Sequence, residues 1–186
     1  MKKEFQKIWD LAVPYLEQGT MKDFVLHTKY VVKSMEMIIA GEGGDANILI
    51  SAAILHDVGW SKVAPEFQSN ADLGKKCEGQ KQHIGFAKEI IEEILTKLNY
   101  KKEDIDHIVS IVESHKFQNP EDKDKQMLID ADNLSDTFKE QFDSDVKAYK
   151  STPEQVYEYR TRNEYYAKTA KKIAKTEMAK RLKEIN

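Results

Sequence analysis

Several features of secreted, membrane and nucleic-acid-binding proteins are missing from the sequence. It has a single cysteine, Cys77, so no internal disulfide can form. It lacks an apolar run long enough to span a membrane, and polar residues interrupt the N-terminus where a signal peptide needs an apolar stretch. The net charge of −3 argues against binding of extended nucleic acid through a basic surface. These absences predict a soluble, cytoplasmic protein.

Glycine and proline are also scarce, with 8 and 4 residues in a chain of 186. Apolar residues recur at spacings of three and four rather than two, which is the period of amphipathic helices. The sequence therefore predicts an all-α helical bundle with no sheet. A chain of this length is expected to form one domain, residues 1–186, and to bury a sufficient core without a structural metal.

Helix boundaries are marked by capping residues. Thr20, followed three residues later by Asp23, resembles a capping box, and Asp45 is placed to cap a third helix that is almost entirely apolar as far as Val58. The run Thr152-Pro153-Glu154-Gln155 predicts the start of a C-terminal helix or helix pair over about 152–186.

One segment, residues 59–81, has little periodicity and contains Gly59, Pro65, Gly74 and Gly79. It is the longest stretch that reads as irregular, and it precedes a helix expected from about His83. Long irregular segments in compact domains are often functional. We therefore predict a loop that covers a binding site.

Four of the five histidines fall on apolar faces or at ends of separate helices, where an unpaired imidazole is costly. His107 is out of phase with its apolar neighbours and is assigned to solvent. Each of the other four, taken alone, could be a core histidine with a hydrogen-bond partner. Together with two acids in apolar surroundings, they predict one metal or a pair of metals inside the bundle. These six residues are His27, His56, Asp57, His83, His115 and Asp132.

The motifs around these residues resemble the HD-domain superfamily of metal-dependent phosphohydrolases. The resemblance rests on the segment Ser51-Ala52-Ala53-Ile54-Leu55-His56-Asp57-Val58-Gly59, on the upstream His27, on the helix start His83-Ile84-Gly85-Phe86-Ala87 and on Asp130-Ala131-Asp132-Asn133-Leu134. It covers residues from about 20 to 140, which would form the metal-binding core. The C-terminal element is expected to pack on this core.

The resemblance implies roles for the six residues. His27, His56, Asp57 and Asp132 would form the minimal metal site, and in two-metal members further histidines stand where His83 and His115 stand here. Asp57 would then bridge the metals, and Asp57 and His83 are the candidate catalytic residues. The implied cofactor is one or two divalent transition metals (Mn, Fe, Zn, Co or Ni). Asp130 and Asp136 are candidate acceptors for ring N–H groups of the ligands.

The chain departs from some members of the superfamily at Trp60, where those members carry a glutamate that assists proton transfer. The base would then be metal-activated water. Candidate substrate contacts are Trp60, which could stack on a nucleobase, and Lys62, with Lys75, Lys76 and Lys81 in the same segment as further candidates for phosphate binding.

The resemblance implies hydrolysis of a phosphate ester or anhydride in a small molecule, most simply a nucleotide. Two alternatives stay open: a diiron oxygenase on the same scaffold, and a non-catalytic nucleotide-binding domain. Membrane and extended nucleic acid are not expected as partners. The tyrosines of the C-terminal element are interpreted as packing residues or a homodimer surface.

Overall fold

The computed structural model describes residues 3–68, 72–116 and 118–185, with the side chain of Leu73 left out, and within these ranges it contains helices and no strand. The prediction of an all-α fold is confirmed. The α-helices are α1 (Lys3–Leu16), α2 (Phe24–Glu42), α3 (Ala46–Leu55), α4 (Leu73–Lys97), α5 (Lys102–Glu113), α6 (Lys123–Ser135), α7 (Lys139–Ala148), α8 (Pro153–Arg160) and α9 (Lys168–Ile185). Two short 3₁₀ helices, Val58–Lys62 and Pro65–Phe67, lie between α3 and α4.

Helix α3 is the centre of the bundle. Its residues from Ile48 to Leu55 are all buried, and α1, α2, α5 and α6 contact it. A helix that is apolar on all faces must be enclosed on all sides, which explains this position. Because α3 ends at Leu55, the next two residues, His56 and Asp57, lie at its C-terminal end deep inside the protein.

Two of the three predicted helix starts are confirmed. Asp45 caps α3 by accepting a hydrogen bond from the backbone N–H of Asn47, at 2.8 Å, and Thr152 and Gln155 form the predicted capping box of α8. The predicted box at Thr20 is wrong. Asp23 caps α2 instead, because the backbone N–H of Thr20 donates to the Gln68 side chain at 2.7 Å.

The prediction of an irregular segment over 59–81 is also wrong for most of its length, although residues 69–71 lie outside the described residues. Helix α4 begins at Leu73, capped by Asp72, and so precedes His83 by almost three turns. Gly79 suggested a loop, but it lies within α4, where it permits close packing. A β-carbon there would clash with the carbonyl oxygen of Phe67, so the glycine lets the 3₁₀ segment approach α4.

The C-terminal part of the chain adds three helices. Helix α7 was not predicted from the sequence, where the C-terminal helix or helix pair was expected only from Thr152. Helix α9 packs against α2 and α6, and α8 contacts both α7 and α9. None of the helices in the described ranges is both long enough and apolar enough to cross a membrane.

Gly59 permits the close contact between the first 3₁₀ helix and α4, which gives a testable prediction. A β-carbon at Gly59 would overlap the carbonyl oxygen of His83 and lie 2.8 Å from the backbone nitrogen of Ala87. We expect Gly59→Ala to lower the free energy of unfolding by about 1–3 kcal/mol, the usual cost of overpacking. Urea denaturation would measure the change.

Gly85 provides the matched control on α4. A β-carbon at this position meets no atom within 4 Å. Gly85→Ala should therefore raise stability by roughly 0.5–1 kcal/mol, as alanine does in an exposed helix interior. Equal stability of the two variants would contradict the role assigned to Gly59.

Candidate metal centre

Five elements bring the six candidate ligands to one place. His27 lies on α2, His56 and Asp57 follow α3, His83 lies on α4, His115 follows α5, and Asp132 lies on α6. All six side chains are buried, with at most 5% of any residue exposed. His107, in contrast, is exposed and faces Asp124.

One carboxylate oxygen of Asp57 faces the first histidine pair. Its Oδ2 lies 3.2 Å from His56 Nε2 and 3.5 Å from His27 Nε2. Asp132 joins this group, since its Oδ1 lies 3.0 Å from His27 Nε2. The ligand atoms of His27, His56 and Asp57 all lie within 4.8 Å of one another, which is close enough to share one ion.

The other oxygen of Asp57 faces the second pair. Asp57 Oδ1 lies 3.4 Å from His83 Nε2 and 3.8 Å from His115 Nε2, and these three residues form a second group of possible metal ligands. Asp57 is thus common to both groups and presents a different oxygen to each. This is the geometry that a bridging carboxylate requires.

Backbone carbonyls orient two of the imidazoles. His56 Nδ1 lies 2.9 Å from the carbonyl oxygen of Ala53, and His115 Nδ1 lies 2.5 Å from that of Val112. A carbonyl oxygen only accepts, so each Nδ1 carries a proton, and Nε2, which points to the centre, is the ring atom left to bind a cation. This arrangement, in which one ring nitrogen is held by the protein, is typical of metal-binding histidines.

His27 is oriented by side chains instead. Its Nδ1 lies 3.3 Å from Ser135 Oγ and 3.6 Å from Asp136 Oδ1, so Asp136 has the position predicted for an acceptor near a ligand. The same prediction is wrong for Asp130. Its carboxylate accepts the backbone N–H groups of Tyr166 and Ala167 ahead of α9 and does not reach the histidines.

The electrostatics keep the histidines of the second group neutral and Asp57 charged. Burial lowers the pKa of His83 and lowers that of His115 to about 4, although Asp57 opposes both shifts. Burial opposes the charge on Asp57, but the neighbouring histidines hold its pKa well below the usual range. At neutral pH the second group therefore consists of neutral imidazoles and a carboxylate, the forms that bind metal.

The donor set fits a divalent metal. His83 Nε2 and His115 Nε2 lie 3.3 Å apart, and His27 Nε2 and His56 Nε2 lie 3.4 Å apart. In each pair the Nε2 atom of His115 or His56 faces a second ring nitrogen, and a cation between them would satisfy both. The buried His83 Nδ1 has no hydrogen-bond partner among the described residues, so hydrogen bonding alone does not explain this cluster.

The structure places the two predicted substrate contacts, Trp60 and Lys62, differently. Trp60 is 2% exposed, stacks on His83 at 4.5 Å and on Phe24 at 5.5 Å, and donates its ring N–H to Asp57 Oδ1. It therefore helps to position a candidate ligand and the carboxylate, and it also lines the cavity described next, so its role as a substrate contact stays a prediction. Lys62 pairs with Glu89 on the surface and does not line the cavity described next.

A cavity of about 520 Å³ opens on this centre. Asp57 and Asp132 lie on its wall. Four cationic residues line the same cavity, namely Lys22, Lys76, Lys116 and Arg160. Only Lys76 was among the lysines suggested by the sequence. The signal for Lys116 was its position directly after His115, whereas Arg160 stands in a charged helix where nothing distinguishes it.

Arg160 is the centre of a buried ion-pair network. Its Nη1 lies 2.6 Å from Asp136 Oδ2, and its Nη2 donates to Asp145 Oδ2 at 2.6 Å. Asp136 in turn approaches His27, so the network connects α8 and α7 to a candidate ligand. Although burial opposes it, Arg160 helps to hold the pKa of Asp136 at about 2.

Comparison with known proteins identifies the family. Searches of curated proteins and of solved structures gave no significant match. A family model, the HD domain, matches residues 24–137, which include all six candidate ligands and more than half of the chain. HD domains form a superfamily of metal-dependent phosphohydrolases, and the buried His/Asp cluster described above is suited to a divalent metal. Since the match covers more than half of the chain, the chain belongs to the HD domain family.

Proposed function

We propose that this protein is a metal-dependent phosphohydrolase that acts on a small phosphorylated molecule, with a nucleotide as the favoured class. The observation that carries the proposal is the position of Asp57, which presents one oxygen to each of two histidine pairs on the wall of a cationic cavity. A dinuclear site in which Asp57 bridges two first-row transition metals accounts for this geometry.

The ligands divide into two groups in this proposal. His27, His56 and Asp132 would hold one ion, His83 and His115 the other, and Asp57 both. Bound metal would supply Lewis acidity towards the phosphate and lower the pKa of a coordinated water towards neutrality. Trp60 and the backbone carbonyls of Ala53 and Val112 keep the ligands in orientation.

The remaining residues of the cavity support binding of an anion. Lys116 pairs with Asp132, and burial, which lowers the pKa of Lys116, is outweighed by the carboxylates of Asp132 and Asp57 that raise it. Lys116 therefore remains charged beside the candidate ligands. The overall charge of the chain is negative, so the positive charge in this cavity is local and suited to a phosphorylated substrate.

Described carboxylates on the cavity wall are poorly suited to act as a general base. Asp132 pairs with Lys116 and Asp136 with Arg160, and Asp57 lies among four imidazoles. Although burial alone would raise their pKa values, these partners hold the pKa of each below its usual range. This supports a mechanism in which the side chains bind and orient, and the chemistry of a bound metal would supply the activated water.

Metal analysis combined with an activity panel tests the proposal. We expect about two equivalents of transition metal in the purified protein, little in His56→Ala and about one in His83→Ala, as a two-metal site requires. Hydrolysis of those nucleotides or phosphomonoesters that the unmodified protein accepts should fall in parallel. His107→Ala is the matched control, because His107 is exposed and lies outside the site.

Two outcomes would contradict the proposal in different ways. Iron as the bound metal, with oxygen consumption and no phosphate release, would indicate the oxygenase alternative. Retained metal with nucleotide binding but no turnover across the panel would indicate a binding domain. A protein that binds no metal under any reconstitution would leave the histidines as core hydrogen-bond partners.

A further inference from the structure

We propose that Lys22 and Lys76 form a second anion subsite beside the metal centre, so that the substrate carries at least two phosphoryl groups. Nucleoside diphosphates and triphosphates belong to this class, whereas simple phosphomonoesters do not. The inference deepens the proposed function and rests on it for the position of the reacting phosphate.

The two lysines reach the cavity from outside the ligand set. Lys22 lies in the connection before α2, and Lys76 lies near the start of α4, about two turns before His83. Both side chains are partly buried, and both line the cavity that contains Asp57 and Asp132. An anion bound to these lysines would therefore share one continuous space with a phosphoryl group at the metal centre.

Two of the four cationic side chains of the cavity are paired with carboxylates of the described residues, and two are not. Lys116 is paired with Asp132, and Arg160 with Asp136 and Asp145. Neither Lys22 nor Lys76 forms an ion pair with any carboxylate in the part of the chain that the structure describes. These two ammonium groups are the charges that a ligand would have to neutralise.

Lys76 in particular is held among other cations. Burial lowers its pKa, and Arg160, Lys22 and Lys116 lower it further, while Asp145 opposes this only in part. Its Nζ lies 5.4 Å from the centre of the Tyr149 ring, a cation–π contact that holds the side chain at the cavity. Like charges placed together in this way are unfavourable without a counter-charge, and an anionic ligand would relieve the repulsion.

The size of the cavity agrees with a substrate larger than one phosphate. A volume of about 520 Å³ is in the range of small-molecule sites, which are commonly about 300–1,000 Å³. On the side formed by α8, Gln155, Tyr159 and Asn163 line it. Tyr159 is 59% exposed. These polar and aromatic groups are suited to the organic part of such a substrate.

Calorimetric binding of inorganic triphosphate and of orthophosphate to the purified protein tests the subsite directly. We expect Lys76→Ala and Lys22→Ala each to weaken triphosphate binding about tenfold and the double variant about a hundredfold, the usual effect of losing a charge-assisted contact. Binding of orthophosphate, which the metal centre alone can hold, should change by less than about threefold. Melting temperatures would show that the variants are folded.

Lys75→Ala is the matched control. Lys75 is the neighbouring residue on α4, exposed and absent from the cavity wall. Triphosphate binding in this variant should equal that of the unmodified protein. If Lys76→Ala also leaves it unchanged, or if the unmodified protein does not bind triphosphate, the subsite is overturned.

The assay separates this inference from the proposed function. Lysine-dependent triphosphate binding without hydrolysis of any phosphate compound would overturn the phosphohydrolase and leave the subsite in place. Hydrolysis and triphosphate binding that are both unchanged by the two lysine substitutions would overturn the subsite and leave the phosphohydrolase in place.

Discussion

Replacing Asp57 with asparagine is expected to remove metal from both groups of ligands and to lower kcat/KM by at least about a thousandfold, the scale of several kcal/mol of lost stabilisation. Both oxygens of Asp57 are engaged, Oδ2 by His27 and His56 and Oδ1 by His83 and His115. Asparagine keeps one oxygen and presents an N–H₂ donor on the other side. That donor cannot bind a cation.

The loss of metal and of activity in Asp57→Asn should exceed that of any single histidine substitution. Loss of His83, for example, leaves the group of His27, His56 and Asp57 intact, whereas loss of the Asp57 carboxylate affects both groups at once. Elemental analysis and steady-state kinetics of Asp57→Asn and His83→Ala, measured together, would show this order.

Asp106→Asn is the control for the Asp57 experiment. Asp106 is an exposed carboxylate on α5 that pairs with Lys102 and has no contact with the site. It should retain metal and full activity. Two bound metals and normal rates in Asp57→Asn would overturn the assignment of this residue as the bridge.

Replacing Arg160 with methionine is expected to lower the free energy of unfolding by about 3–5 kcal/mol, the cost of breaking a buried ion pair by removing one partner. Arg160 is 8% exposed and lies between Asp136 and Asp145. Methionine fills a similar volume but leaves two buried carboxylates with no cation. Urea denaturation at neutral pH would measure the loss.

The loss of unfolding free energy in Arg160→Met should depend on pH in a defined direction. In the unmodified protein the pKa of Asp136 is lowered to about 2, so its ionised form contributes stability that is complete above the unfolded value of 3.8. That contribution is lost as the pH falls towards 2. The difference between Arg160→Met and the unmodified protein should therefore shrink as the pH falls towards 2.

Arg162→Met is the matched control, since Arg162 is exposed two residues further along the chain. Its effect should stay within about 0.5 kcal/mol, as for most surface substitutions. A small effect at Arg160 would mean that the network between α8 and His27 contributes little to the fold. Metal affinity measured on the same variants would show whether the network also positions His27.

The fold class and the cluster of candidate ligands were accessible from the sequence because both depend on local patterns. The apolar period identifies helices whatever their neighbours are, and an all-apolar segment such as Ile48–Leu55 must be central. Histidines and aspartates in phase with that period must be buried, and buried imidazoles and carboxylates need partners. The start of α4 was missed because Gly74 and Gly79 suggest a loop, whereas both lie in the helix and Gly79 makes room there for Phe67.

The tertiary structure decided what surrounds the ligands. The two oxygens of Asp57 face different histidine pairs, and Trp60 packs on His83 and Phe24. Both arrangements follow from how the helices pack, and the sequence of a single helix does not predict them. The same holds for Arg160, which meets Asp136 across the bundle. The sequence by itself determined the all-α class and the residues that could bind metal, because these follow from local spacing, but not helix α7 or the start of α4. Only packing determined which charges remain unpaired in the cavity, because charges from distant segments meet there only when the chain is folded.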